Sequence, residues 1–198
     1  MGETGGGADG AEVAELLHRR PVFKGRIVHL SVDRVRLPDG EEGERELVRH
    51  PGAAGALPFL DPPGSEDPDV LLLRQWRYPA GGWLWEVPAG LLNPGEDPRA
   101  CALRELEEEA GHRAGSAAAL TRIHTSAGFT DEVVHVFAAW ALEATAPALE
   151  DHEFVEVHRV PFSAALEMVT SGVITDAKTV TSLLYVQAFP DPEAWQRP

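Results

Sequence analysis

The chain is poor in cysteine, in lysine and in long apolar runs. A single cysteine, Cys101, stands in 198 residues, which excludes an internal disulfide and any zinc site built on several thiolates. Only Lys24 and Lys178 are lysines. The 17 basic residues face 32 acidic ones, for a formal charge of −15. That balance speaks against a nucleic-acid backbone and an anionic membrane surface as partners, because both want a basic face. It leaves room for a phosphate substrate, since carboxylates can hold the divalent cations that carry phosphates. The preference for arginine reads as genomic base composition. No apolar stretch approaches the ~18 residues of a membrane-spanning helix. Met1 to Gly10 is Gly-rich and acidic, without the basic start or apolar core of a secretory signal, so a cytoplasmic protein is expected. With 43% hydrophobic and 25% charged residues, the composition is that of a globular domain large enough to bury a core.

Residues 1–10 are expected to be mobile and 11–19 (AEVAELLHR) to form a short helix. Val22 to Leu37 reads as β and ends in the turn signal Pro38-Asp39-Gly40. Glu46 to His50, Gly55 to Leu60, Val70 to Arg77 and Trp83 to Val87 read as further strands, the last ended by Pro88-Ala89-Gly90. Asp61 to Asp69 is an acidic, Pro-rich loop. Asp97 to Ala110 is the clearest helix, with Asp97 as N-cap, Pro98 as first residue and Gly111 at the C-terminal end. Leu120 to Ser126, Glu132 to Leu142 and Phe154 to Val160 follow as strands, then Pro161 to Ser171 and Asp176 to Ala188 as helices. Interleaved strands and helices, with strands in excess, predict an α+β chain whose mixed sheet lies between helical layers.

Chemistry concentrates in Gly90 to His112, GLLNPGEDPRACALRELEEEAGH. On a helix, residues three and four apart share a face, so Glu105, Glu108 and Glu109 stand together, with Cys101 and His112 near the same stripe. Leu103, Leu106 and Ala110 are free to pack on a sheet. Like charges at this spacing repel by about 0.2–0.5 kcal/mol a pair. Cations between them would remove that cost. Oxygen ligands without His or Cys favour Mg²⁺ or Mn²⁺ over zinc. The expected chemistry is metal-assisted attack of water on a phosphate ester or anhydride. Arg104 can fork to Glu96 or Glu108 and hold the loop against the helix. A plain solvated Glu-rich helix would not need Gly90, Glu96 and Gly111 at fixed distances. Seven fixed types arise by chance at roughly 10⁻⁸ per window, taking about one in fifteen for each. Cys101 itself reads as a small residue that lets the helix pack closely.

The pattern Gly90-x5-Glu96-x7-Arg104-Glu105-Leu106-x-Glu108-Glu109-x-Gly111 resembles the signature box of the Nudix hydrolases. Only the last position departs, where His112 replaces an aliphatic residue. Arg74-Gln75-Trp76-Arg77, Glu86-Val87-Pro88-Ala89-Gly90, Ser126-Ala127-Gly128-Phe129-Thr130-Asp131-Glu132 and Glu153-Phe154-Val155-Glu156-Val157 resemble the ADP-ribose pyrophosphatase branch, although Ala127 replaces that branch's proline. GDP-mannose hydrolases share several of these marks. The resemblance implies a Nudix fold, an α/β/α sandwich in residues 51–198, preceded by a mobile N-terminus and short helix (1–20) and by an antiparallel sheet (21–50). That sheet would swap between the copies of a homodimer. Metal ligation is implied for Glu105, Glu109 and the carbonyl of Ala89, with Glu108 as a further or water-mediated ligand. Glu96 would be structural, paired with Arg104. Arg77 would contact the diphosphate, or else form a salt bridge at a strand end. Glu86 would line the site near the ribose or metal waters, or be an ordinary strand carboxylate. The general base corresponds to Glu153, with Glu150 and Asp151 as local rivals and Glu132 as a second candidate for base or metal ligand. Adenine recognition would draw on Phe23, Arg45, Glu46 and Arg49.

The function implied is Mg²⁺-dependent hydrolysis of a nucleoside diphosphate derivative, with ADP-ribose giving AMP and ribose 5-phosphate as first choice. A nucleotide sugar such as GDP-mannose is the rival substrate. A non-catalytic nucleotide sensor is the rival class, but such modules lose box glutamates and this chain keeps them all.

Overall fold

A computed structural model of the chain describes residues 14–149 and 153–196. Residues 1–13, Glu150 and Asp151 therefore lie outside the described residues. The chain divides into two units, residues 1–50 with 126–131, and residues 51–125 with 132–198.

The N-terminal unit is an antiparallel sheet of β1 (Glu15–Lys24), β2 (His29–Arg36) and β3 (Glu42–Arg49), in that order. The helix expected over 11–19 is corrected, because the chain is already a strand from Glu15, with Arg19 opposite Asp33 of β2. A stretch that short cannot sustain a helix alone, and the neighbouring strand satisfies its backbone instead. The turn at Pro38-Asp39-Gly40 is present, with Gly40 at φ 86° donating its N–H to Leu37. Residues 126–131 join this unit through a parallel bridge between Val48 and Thr130. The buried polar residues here are Ser31 and Asp33.

The larger unit holds two sheets. One runs β7 (Ala89–Leu91), β4 (Ala53–Pro58), β9 (Val133–Ala144), β8 (His112–His124), with β4 and β9 parallel and the other pairs antiparallel. The other places β5 (Asp69–Arg77) between β10 (Val155–Pro161) and β6 (Gly82–Glu86). Successive β5 residues point to opposite faces. Val70 and Leu72 enter a core with Leu57, Phe59, Val136 and Trp195, to which Phe162 of α2 (Phe162–Thr170) and Leu183 of α3 (Ala177–Ala188) contribute. Leu71 and Leu73 enter a second core with Cys101, Ala102 and Leu106 of α1 (Pro98–Ala110). The apolar run of β5 thus reflects burial on both faces. Each large side chain so buried contributes ~1.5–3 kcal/mol. The expected mixed α+β architecture between helical layers is the one found.

α1 starts and stops at the residues its local chemistry marks. Asp97 accepts the Ala100 N–H at 3.1 Å, Pro98 opens the helix, and Gly111 ends it in the left-handed region at φ 63°. Several boundaries differ. β3 begins at Glu42, not Glu46, and the run Val22 to Leu37 is broken between Lys24 and His29. β8 begins at His112, not Leu120, because its small residues (Ala114, Ser116, Ala117) carry little hydrophobic signal. β7 forms where a simple strand end is expected, because β4 pairs with Ala89–Leu91. Among the described residues, no helix is long and apolar enough to cross a membrane.

Candidate active site

The segment from Glu86 to Ala89, between β6 and β7, is bonded at every residue. Val87 donates its N–H to Thr179 Oγ1 at 2.8 Å, Pro88 accepts from Ala56 N–H at 3.1 Å, and Ala89 donates to Glu109 Oε2 at 2.9 Å. Two glycines permit this packing. A Cβ on Gly55 would lie 2.6 Å from Ala89 Cβ, and one on Gly90 would lie 2.1–2.5 Å from the Glu105 carboxylate. Gly90 is therefore required for Glu105 to reach the backbone of β7.

Glu105 and Glu109 approach this strap from α1. Glu109 is 5% exposed. Burial raises its pKa to about 8; the Ala89 N–H opposes this, while the nearby charges of Glu105 and Glu153 add to it. Burial also raises Glu105, against the pull of Arg104 and with the help of Glu108 and Glu153. The structure thus brings Glu105, Glu109 and Glu153 into electrostatic reach of one another. Cys101 is fully buried, its Sγ 3.4 Å from the Leu91 carbonyl, and burial lifts its thiol to about 12, so it packs and does not react. His112 opens β8, its Nδ1 2.7 Å from the Ala110 carbonyl.

Arg104 is the hub on the solvent side. Its Nε and Nη2 reach Glu96 at 2.9 and 3.1 Å, and its Nη1 reaches Glu105 at 2.6 Å and Glu108 at 2.9 Å. Glu96 accepts from Arg104 and from the Asn93 N–H, which hold its pKa down at about 2. The Arg104–Glu96 pair that the spacing predicts is present.

Arg77 donates from Nε and Nη2 to both oxygens of Glu86, at 2.8 and 3.0 Å. Glu86 also pairs with Lys178 of α3. Burial pushes Glu86 upward, but Arg77 and Lys178 outweigh it and keep the carboxylate ionised. Reading along the chain misses Lys178 and Thr179, because about ninety residues separate them from Glu86 and Val87. The available signal is that Lys178 is one of only two lysines.

The other expected site residues have partners of their own. Glu132, just before β9, accepts a hydrogen bond from Thr125 Oγ1 at 2.7 Å. Within the N-terminal unit, Arg49 pairs with Asp33 at 2.8 Å and Asp131 at 2.9 Å, and Glu46 is exposed opposite Val32. Phe23 is exposed there, and Arg45 donates to the Glu44 carbonyl.

Among the described residues, no three acidic, imidazole or thiol side chains close around an ion as they stand, since Arg104 occupies Glu105 and Glu108. The donors nevertheless fit a divalent cation that prefers oxygen. They are all carboxylate or carbonyl, they crowd negative charge into a buried corner, and the missing Cβ at Gly90 admits the Glu105 carboxylate to it.

The helix thus presents one glutamate paired with arginine, Glu105, and one buried against a backbone N–H, Glu109, to a tightly held strap. Comparison with known proteins narrows this. The NUDIX domain family matches residues 49–196, and the family described as the nucleoside diphosphate sugar hydrolase N-terminal domain matches residues 15–48. The chain is 40% identical to the ADP-ribose pyrophosphatase of Bacillus subtilis (strain 168) over 171 residues, 85% of this chain and 90% of that one. It is 39% identical to the methanol dehydrogenase activator of Bacillus methanolicus over 84% of this chain and 88% of that one. A solved structure of an ADP compounds hydrolase shares the fold, with TM-score 0.75 at 18% identity, over 89% of this chain and 93% of that one. The chain belongs to the Nudix family and is a Nudix hydrolase.

Proposed function

We propose that the protein hydrolyses the diphosphate of ADP-ribose, giving AMP and ribose 5-phosphate, with Mg²⁺ or Mn²⁺ as cofactor. The chemistry rests on one observation, the raised and buried Glu109 beside Glu105 and Glu153 at the Gly90 strap. The substrate rests on the likeness to an ADP-ribose pyrophosphatase across most of the chain. The match of residues 15–48 to a nucleoside diphosphate sugar hydrolase domain supports the second reading, a nucleotide sugar such as GDP-mannose.

Glu105, Glu109 and the Ala89 carbonyl would hold the cation, with Glu108 joining directly or through water. When bound, it supplies positive charge to the diphosphate and acidifies water. Glu153 takes one proton from the attacking water as its oxygen bonds to phosphorus, and the bridging P–O bond breaks. Glu132 is the second candidate for base. Arg77 has Nε and Nη2 committed to Glu86, and its Nη1 is aimed in this reading at a phosphate oxygen. Glu86 holds that arginine in place. Arg49, Glu46, Arg45 and Phe23 are proposed to serve adenine recognition. The N-terminal sheet, which extends back to Glu15, is proposed to swap in a homodimer, a reading supported by the exposed Leu16, Val22 and Phe23.

Product analysis on ADP-ribose, GDP-mannose, a nicotinamide dinucleotide and a nucleoside triphosphate with Mg²⁺ tests the reading. AMP and ribose 5-phosphate formed preferentially from ADP-ribose are expected. Preference for GDP-mannose would overturn the substrate while keeping the site. Binding without turnover across the panel would overturn the enzymatic mechanism.

A further inference from the structure

The first turn of α3 closes a ring of bonds around the strap. Asp176 Oδ2 accepts the Thr179 N–H at 3.0 Å and the Thr179 hydroxyl at 2.6 Å. Thr179 Oγ1 in turn accepts the Val87 N–H at 2.8 Å. Asp176 Oδ1 pairs with Lys178 at 3.1 Å, Lys178 pairs with Glu86, and one peptide link leads from Glu86 back to Val87. Thr179 is fully buried and Glu86 nearly so. The ring therefore grips two consecutive strap residues, one by its side chain and one by its backbone. Helix capping alone does not require this. Asp176 would cap α3 with any residue at 179, whereas the bond to Val87 needs a hydroxyl at that position.

Both ends of the gripped segment lead to the site. Glu86 orients Arg77 through two parallel bonds, and two residues beyond Val87 the Ala89 N–H binds Glu109. We infer that Thr179 is a positioning residue for the hydrolysis. Through Asp176, Lys178 and the Val87 N–H, it fixes the strap so that the Arg77 guanidinium and the Ala89 backbone stay in register with Glu105 and Glu109. This rests on the proposed roles of Arg77 and Ala89.

Thr179→Val keeps the volume and removes the hydroxyl. In the full-length protein, the expected result is a fall in kcat of about tenfold or more, the scale for losing a partner that orients a ligand. Weaker binding of Mn²⁺ alone, read by electron paramagnetic resonance without substrate, should accompany it. Thr179→Ser should recover both. A Thr179→Val protein that melts earlier but keeps wild-type kcat and Mn²⁺ affinity would overturn the inference, because a purely structural hydroxyl moves only the melting temperature. Should Thr179→Val fail to fold, Asp176→Asn keeps the helix cap while releasing Lys178, and the same two readouts decide. Mn²⁺ binding by wild type and Glu109→Gln is measured alongside. If those two bind alike, the metal reading has failed, and the ring then stands or falls on kcat alone.

Discussion

Two buried carboxylates, one in each unit, have opposite surroundings. Asp33 is 2% exposed and Glu109 is 5% exposed, so burial alone would treat them alike. Asp33 accepts from Arg19 through three contacts of 2.9–3.2 Å, from Arg49 at 2.8 Å and from Ser31 at 2.8 Å. Arg19 outweighs burial, Ser31 and Arg49 add to its effect, and the acid sits at about 2. Glu109 has two carboxylate neighbours, and its one backbone N–H and the charge of Arg77 do not offset its burial, so it sits at about 8. The first is saturated with positive charge and therefore structural. The second keeps a deficit of positive charge even with Arg77 nearby, which is the surrounding the proposed cation would complete.

The sharpest test of that contrast is Glu109→Gln. Turnover should fall by more than the ~100-fold typical of losing an outer partner of a metal ligand. The pH dependence of stability should change as well. A folded pKa raised from 4.5 to about 8 means that, without metal, Glu109 is tolerated best below pH 4.5. Its stabilisation is then lost as pH rises through 8. Metal-free protein should therefore lose melting temperature between pH 4.5 and 8, Mg²⁺ should restore it, and Glu109→Gln should flatten the slope. A flat slope in the wild type would show that Glu109 is not starved of charge.

Glu153→Gln ranks next. If Glu153 is the base, kcat should drop by about 10²-fold, within the ~10²–10⁴ range of acid–base catalysis, with KM barely moved. An unchanged rate, together with an inactive Glu132→Gln, would transfer the role to Glu132. Asp33→Ala should act on stability alone. Removing the acceptor takes Arg19's partner away and leaves Arg49 with Asp131 only, and costs about 2 kcal/mol, moderated by the partial exposure of both arginines, as read by urea unfolding. Loss of Mn²⁺ affinity in this variant would break the contrast between the two acids. The pH dependence runs the other way for Asp33. A pKa lowered from 3.8 to about 2 means its stabilisation is present above 3.8 and lost as pH falls toward 2. The smallest effect belongs to Glu107→Gln, whose partner Arg113 is exposed. Neither melting temperature nor turnover should change measurably.

Much of the site is legible in the amino-acid sequence. Asp97, Pro98 and Gly111 mark both ends of α1 because caps and the left-handed glycine are local chemistry. Glu96 and Arg104 declare their pairing by spacing, and Gly90 is marked by its distance from them. The first half of β1, Glu15 to Arg19, reads as a helix because its apolar residues fit a helical period, and only its pairing with β2 decides otherwise. β8 reads as shorter than it is because alanines and a serine leave no period to follow. Lys178 and Thr179 are invisible because a contact across about ninety residues has no local signature.

Reading along the chain is enough to establish the order of the acidic groups, the box helix with its caps, and the excess of negative charge. These follow from spacing along one helix and from composition, which survive without any long-range contact. Which carboxylates are saturated with positive charge and which are not is settled in three dimensions. That depends on how many arginines, lysines and N–H groups reach each one across the fold, and on how much water is excluded there. The same is true of the grip of α3 on the strap between β6 and β7, since hydrogen bonds close over a few ångströms of space whatever the distance along the chain.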